Sequence, residues 1–209
     1  MLVREVARAE GGERSTERRP RADAVRNRDL LLTAASAAFA ARGADVPLED
    51  IARAAGVGIG TLYRHFPTRE TLVEAVYRHE IDVLCEQADE LLESLPPDQA
   101  LAEWMQLFVR HVAMKKGMLS VLKQLMSTNA TFSEQTRGRA AAAATKLLEA
   151  GAAAGTVRAD VNGDDLLRAV GGICMSTDQE RSEASVRLVG LLFDGLRHGA
   201  AAPASDSSS

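Results

Sequence analysis

Apolar residues in this chain recur at spacings of three and four, and almost nowhere at two. Between residues 25 and 41, Leu30, Leu31, Ala34, Ala35, Ala38 and Phe39 make one such face. That period belongs to a helix with one buried side, whereas a half-buried strand would alternate. Alternating β-branched residues are nearly absent along the 209 residues, so the chain reads as all-α. Aromatic residues make up only 4%, which leaves Leu, Val and Ala to fill most of the core.

Glycine and proline divide the helical pattern. Gly43 stops the first helix, and Pro47 opens a short second one with Leu48, Ile51 and Ala52 inward. Ala55, Gly56 and Val57 break it, and a third short segment, 59–65, ends at Pro67. Thr68, with Thr71 three residues on, starts a long helix striped by Leu72, Val76, Leu84, Ala88, Leu91 and Leu95, which Pro96 and Pro97 end. Residues 98–116 carry Leu101, Trp104, Met105, Phe108 and Val112 on one side. A short helix with Met118, Leu122 and Leu125 follows. Thr131 and Glu134 fit a capping box for the next helix, which runs to about residue 154. Asn162 can cap a helix bearing Leu166, Leu167, Val170 and Ile173. Residues 182–198 form the last, with Val186, Val189, Phe193 and Leu196. The expectation is about nine helices. Residues 1–24 and 200–209 lack a period and read as a disordered Arg-rich arm and a disordered tail.

Net charge is −4, which alone does not indicate a nucleic-acid binder. Its distribution is more informative: residues 14–69 carry ten Arg against six acids, while residues 70–209 carry thirteen bases against twenty acids. A basic end on an acidic body is expected where one end alone meets phosphates. Cys85 and Cys174 lack metal-ligand spacing and read as buried free thiols. No signal-peptide h-region precedes residue 30 and no apolar run reaches bilayer length, so a cytoplasmic protein with no membrane partner is expected.

The most specific stretch is 47–70, PLEDIARAAGVGIGTLYRHFPTRE. Two short helices meet at a tight turn containing Gly56, with small Ala52 and Ala55 where the helices approach. This is a helix-turn-helix pattern, in which the second helix enters the major groove and the first braces it. Gly56, Gly58 and Gly60 do not make a dinucleotide loop, because Thr61 stands where the third glycine belongs and no strand precedes.

On these residues the segment 25–76 resembles the DNA-binding domain of the TetR (tetracycline-repressor) family. The resemblance rests on the first helix ending at Phe39, the run LEDIARAAGVGIGTLYRHF and its continuation PTRETLVEAV. It implies a three-helix DNA-binding domain at 25–70, a ligand-binding and dimerisation domain at 71–199, and double-stranded operator DNA as partner. It also implies that Ile59, Gly60 and Tyr63 face base edges, that Thr61, Tyr63 and His65 meet phosphates, and that Arg69 grips a phosphate at the start of the fourth helix. Arg64 joins them on the same short helix, since few strong donors otherwise point at base edges. Tyr63 and His65 also have plain packing roles open to them. Arg14, Arg18, Arg19 and Arg21 read as a solvated tail that attracts phosphates without reading bases.

Trp104, Met105, Phe108 and His111 lie together on the helix 98–116. An ordinary core with one hydrogen-bonded His accounts for them; the resemblance instead implies that they line a pocket for a small-molecule inducer. Val186, Val189, Phe193 and Leu196, with Gly171, Gly172 and Gly195 nearby, fit a homodimer interface or plain packing within the chain. No H-E-x-x-H, G-x-S-x-G, P-loop or paired cysteine occurs, so neither an enzyme nor a cofactor is expected. A DNA-binding protein without sequence specificity is the other alternative.

Overall fold

The computed structural model describes residues 18–176 and 182–197. Within them are nine helices and no strand: α1 (Arg18–Arg42), α2 (Leu48–Ala54), α3 (Ile59–His65), α4 (Arg69–Ser94), α5 (Pro97–Gly117), α6 (Leu119–Thr128), α7 (Ala130–Ala153), α8 (Gly163–Ser176) and α9 (Ser182–Arg197). The number and order match the sequence reading, and the differences lie at the ends.

Within the described residues α1 already includes Arg18, so residues 18–24 of the expected arm are helical. Arg and Ala are good helix formers. The rest of the arm with Arg14, the tail 200–209 and His198 lie outside the described residues. The buried face of α1 is Leu31, Leu32, Ala35 and Phe39, whereas Leu30, expected inward, is exposed. Three consecutive leucines let the face slide by one residue, about 100° of helix.

Capping explains most boundaries. The Thr68 and Thr71 side chains each accept from the other's backbone N–H, at 3.2 and 3.1 Å, which closes the first turn of α4. Leu95 is extended, as a residue before proline must be, and Pro97 opens α5. Asn129, not the expected Thr131 and Glu134, caps α7 by accepting from Phe132 N–H at 3.0 Å. Thr131 already lies inside the helix. Asn162 caps α8 as expected, accepting from Asp165 N–H at 2.9 Å.

Helix α5 is the centre of the body and packs against α1, α4, α7, α8 and α9. It buries Ala100, Leu101, Trp104, Met105, Phe108, Val109, His111, Val112 and Met114, more than the single stripe of a surface helix. One contiguous core runs from Leu31 to Leu196. The division expected at residue 70 falls inside α4, which carries the chain from one part to the other without a linker. Cys174 is buried as expected, while Cys85 is only partly so. Among the described residues no helix is long and apolar enough to cross a membrane.

Candidate functional site

The head is built from a short helix, a tight turn and a second short helix. Helix α2 ends with two backbone bonds, Gly56 N–H to Arg53 C=O at 3.1 Å and Val57 N–H to Ala52 C=O at 3.0 Å. This closure requires a left-handed residue, and Gly56 supplies it at φ +69. The chain then re-enters α3 after Gly58. Leu62 is fully buried and Val57 packs beside the core, so α3 is pinned along one side only.

The other side of α3 is open. Ile59 is 36% and Tyr63 46% exposed, Gly60 and Arg64 are exposed, and Thr61 and His65 are half-buried at the flanks. The His65 ring lies 6.1 Å from that of Phe66, which is buried. Arg28 of α1 stands over the same Phe66 ring at 5.8 Å. Among the described residues neither Arg28 nor Arg64 has an ion pair. Arg28 was missed by the sequence reading because only the fold brings it over Phe66.

Arg69 is turned inward. Its guanidinium donates to Ala44 C=O and, at 2.7 Å, to Val46 C=O, so it clasps the segment between α1 and α2. Ala44 N–H donates in turn to Gly117 C=O at the end of α5, at 2.8 Å. A Cβ on Gly117 would come within 2.2 Å of Phe39 C=O, so only glycine permits this approach of α5 to α1.

The four residues expected around a pocket are all buried, and the three rings among them stack. Trp104 Nε1–H donates to Leu84 C=O at 2.8 Å. Its ring lies parallel to Phe108 at 5.7 Å, and Phe108 stacks on His111 at 5.8 Å. Met105 is buried beside them. Tyr77 of α4 and Phe132 of α7 complete the cluster, with Tyr77 5.4 Å from His111 and 5.8 Å from Phe132. Burial, and the Lys115 charge after it, push the His111 imidazole down to about 3. Burial also pushes the Tyr77 phenol up to about 12. His111 Nδ1 is buried without a hydrogen-bond partner among the described residues. The described cavities are lined elsewhere, at the α7–α8 junction, on α1 and between α8 and α9. Tyr77, Phe132 and Lys115 were missed by the sequence reading; the four-residue step from His111 was the one signal available, and it points to Lys115.

Residues 31–76 match a family model for bacterial regulatory proteins of the tetR family. Residues 96–198 match another, described as the C-terminal domain of SbtR-like transcriptional regulators. The TetR transcriptional regulator SCO0520 of Streptomyces coelicolor is 42% identical, with 81% of this chain aligned to 98% of that one at a TM-score of 0.75. The chain belongs to the TetR family. This TetR-family protein is a DNA-binding transcriptional regulator. Among curated relatives it is 33% identical over 79 residues to the HTH-type transcriptional regulator SAR0097 of Staphylococcus aureus, covering 36% of this chain and 41% of that one. It is 40% identical over 68 residues to the HTH-type transcriptional repressor KstR2 of Mycolicibacterium smegmatis, covering 32% of this chain and 33% of that one. The match thus spans less than half the length of either relative.

The outer helices of this TetR-family regulator divide the expected interface residues in two. Val189 and Leu196 are buried within the chain and are not available to a partner. Both lie on the inner face of α9, which spacing alone could not tell from the outer one. Val186 is exposed and Phe193 partly so. The outward apolar surface comprises Val186, Leu188 and Leu191 of α9 with Met175 of α8, and Leu191 is 66% exposed. A Cβ on Gly172 or Gly195 would meet nothing within 4 Å, so packing inside the chain does not call for glycine there.

Proposed function

We propose that this protein is a repressor that binds palindromic operator DNA as a two-fold dimer and releases it when a small molecule enters the helical body. The carrying observation is α3, held by Leu62 on one side with Ile59, Gly60, Tyr63 and Arg64 free on the other. A helix of this kind fits the major groove, where Ile59 can meet a thymine methyl and Arg64 a guanine edge or a phosphate. A side chain at Gly60 would meet nothing within the protein, so its smallness is explained by close approach of DNA. Thr61, Tyr63 and His65 flank the groove as phosphate contacts. Arg69 acts from behind, fixing the segment ahead of α2 instead of touching phosphate.

One α3 reads only a few base pairs, so a unique site needs two. The outward residues Val186, Leu188, Leu191 and Met175, with open glycines at 172 and 195, supply a self-complementary face. Beside them lies a groove of about 340 Å³ lined by Leu166, Ala169, Leu191, Leu192, Gly195 and Leu196. The repressive sign is taken from KstR2, whose name states it. The inducer site is assigned to the cluster of Trp104, Met105, Phe108 and His111, and the protein acts in the cytoplasm, where its DNA is.

Footprinting on the DNA flanking its own coding region tests the proposal. Protection of two half-sites with centres about 34–36 Å apart, or a multiple of that, is expected. Equal protection of all sequences identifies a binder without specificity and overturns it.

A further inference from the structure

Three polar groups meet at one edge of the aromatic cluster, and none has a partner of the ordinary kind. Lys115 Nζ stands 5.5 Å from the centre of the Tyr77 ring. The Tyr77 ring is 5.4 Å from His111, whose Nδ1 is buried and unbonded. Among the described residues the Tyr77 hydroxyl makes no hydrogen bond, and no carboxylate lies within ion-pair reach of Lys115. The other cations nearby have carboxylate partners. Arg78, over the Phe132 ring, is paired with Glu74, and Arg137 with Asp164, which it shares with Arg168. Burial and the Arg137 charge depress Lys115, and no anion offsets them. Leaving a buried polar atom such as His111 Nδ1 unmatched costs stability, so a folded chain that keeps it beside a half-buried ammonium and a phenol has another use for the three.

We propose that Tyr77, His111 and Lys115 form the headgroup site for a small organic carboxylate, with the stacked rings of Trp104 and Phe108, and the Phe132 ring edge-on to Tyr77, receiving its apolar body. The proposal rests on the ligand-responsive reading above. The three groups can all donate: the ammonium, the phenol, and the imidazole in its Nδ1–H form. A carboxylate accepts through both oxygens and carries one charge, which the Lys115 ammonium matches. The site also sits on both grips that hold the DNA-binding head. Two residues beyond Lys115, Gly117 C=O accepts from Ala44 N–H; eight residues before Tyr77, Arg69 clasps Ala44 and Val46. An anion that draws Lys115 and Tyr77 together therefore pulls on the segment that positions α2.

The probes are 4-phenylbutyrate and 4-phenylbutanol, which differ only in the headgroup. Quenching of Trp104, the only Trp in the chain, reports binding. The full-length wild type should bind the acid at least about tenfold tighter than the alcohol, the scale of a charge-assisted contact. Lys115→Met keeps most of the stem and should erase that preference. It should also raise the melting temperature of the unliganded protein by about 2–4 °C, since an unmatched charge is removed. Tyr77→Phe should reduce the preference severalfold. Equal binding of acid and alcohol to the wild type, binding of neither, or a Lys115→Met protein that keeps the preference or melts lower each overturns the headgroup site. If both probes bind alike and both release operator DNA, the ligand-responsive reading stands and the headgroup site alone falls. If neither alters fluorescence or DNA affinity, both readings are refuted together.

Discussion

The face of α3 and the cluster around Trp104 are opposites in construction. Helix α3 has one buried anchor, Leu62, and leaves Ile59, Gly60, Tyr63 and Arg64 in solvent. Trp104, Phe108 and His111 are enclosed on every side and stacked in series. A surface that must enter a groove is finished before its partner arrives, so its parts are local and exposed. A site that must both hold a core together and admit a ligand carries two demands on the same side chains. Substitutions should therefore separate stability from function on α3 and confound them on α5.

Phe108→Ala breaks or sharpens this contrast most strongly. Removing a ring stacked between Trp104 and His111 should cost about 3–5 kcal/mol of stability, whereas Ile59→Ala on α3 should change stability by under about 0.5 kcal/mol. Chemical denaturation of the two variants measures both. A Phe108→Ala protein as stable as the wild type would show that the cluster carries little of the core, and the contrast would fail.

The outer face of α9 gives the next largest effect. Leu188→Glu with Leu191→Glu should leave folding intact, because both side chains already face solvent. It should yield monomers by light scattering and lower operator affinity by roughly 10²–10⁴-fold, the advantage of two linked reading heads. Val189→Glu, buried in the same helix, should unfold the protein instead. Dimers that survive the double substitution would place the interface elsewhere.

The same contrast explains what could be read before the fold was known. The head was legible because its parts are neighbours in sequence: Pro47 opens α2, Gly56 makes the turn, Leu62 anchors α3 and Thr68 caps α4. The nine helices were legible from their period and punctuation. The register of α1 was not, since Leu30, Leu31 and Leu32 are equally apolar and only packing against α4 and α5 selects two of them. The division of α9 between Val189 and Leu191 was hidden for the same reason, because both faces are apolar. Arg69 looked like a phosphate ligand because its charge is visible in sequence and its carbonyl partners, more than twenty residues upstream, are not. Tyr77 meets His111 and Phe132 only through the fold.

Acid should act on the buried region. His111 is held neutral, with its folded value near 3 against 6.5 for the unfolded chain. Below pH 6.5 the unfolded chain takes up a proton that the folded one refuses. The contribution is therefore complete above pH 6.5 and is lost as pH falls toward 3, at about 1.4 kcal/mol per unit. Between pH 6.5 and 5 the wild type should lose about 2 kcal/mol more than His111→Leu, measured by denaturation at the two pH values. Parallel losses in both proteins would mean that His111 opens to solvent before the chain unfolds.

The smallest effect distinguishes two arginines that look alike in sequence. Arg64 projects from α3 without an ion pair among the described residues, while Arg69 spends its guanidinium on Ala44 and Val46 C=O. A cation that meets phosphate displaces a counterion, and its removal lowers the salt slope of DNA binding by about one. Arg64→Ala should therefore reduce that slope and weaken operator and random DNA alike. Arg69→Met should leave the slope unchanged. It strips two buried carbonyls of their donor, so it should cost about 1–3 kcal/mol of stability and loosen the segment ahead of α2. Operator affinity should then fall more than affinity for random DNA, because specific reading needs both α3 helices held in place, whereas phosphate attraction tolerates a loose head. If Arg69→Met instead lowers the slope by one at unchanged stability, the side chain leaves its carbonyls to grip DNA in the complex. The inward clasp would then belong to the free protein alone, and the difference between a finished head and an adaptable body would be smaller than the structure implies.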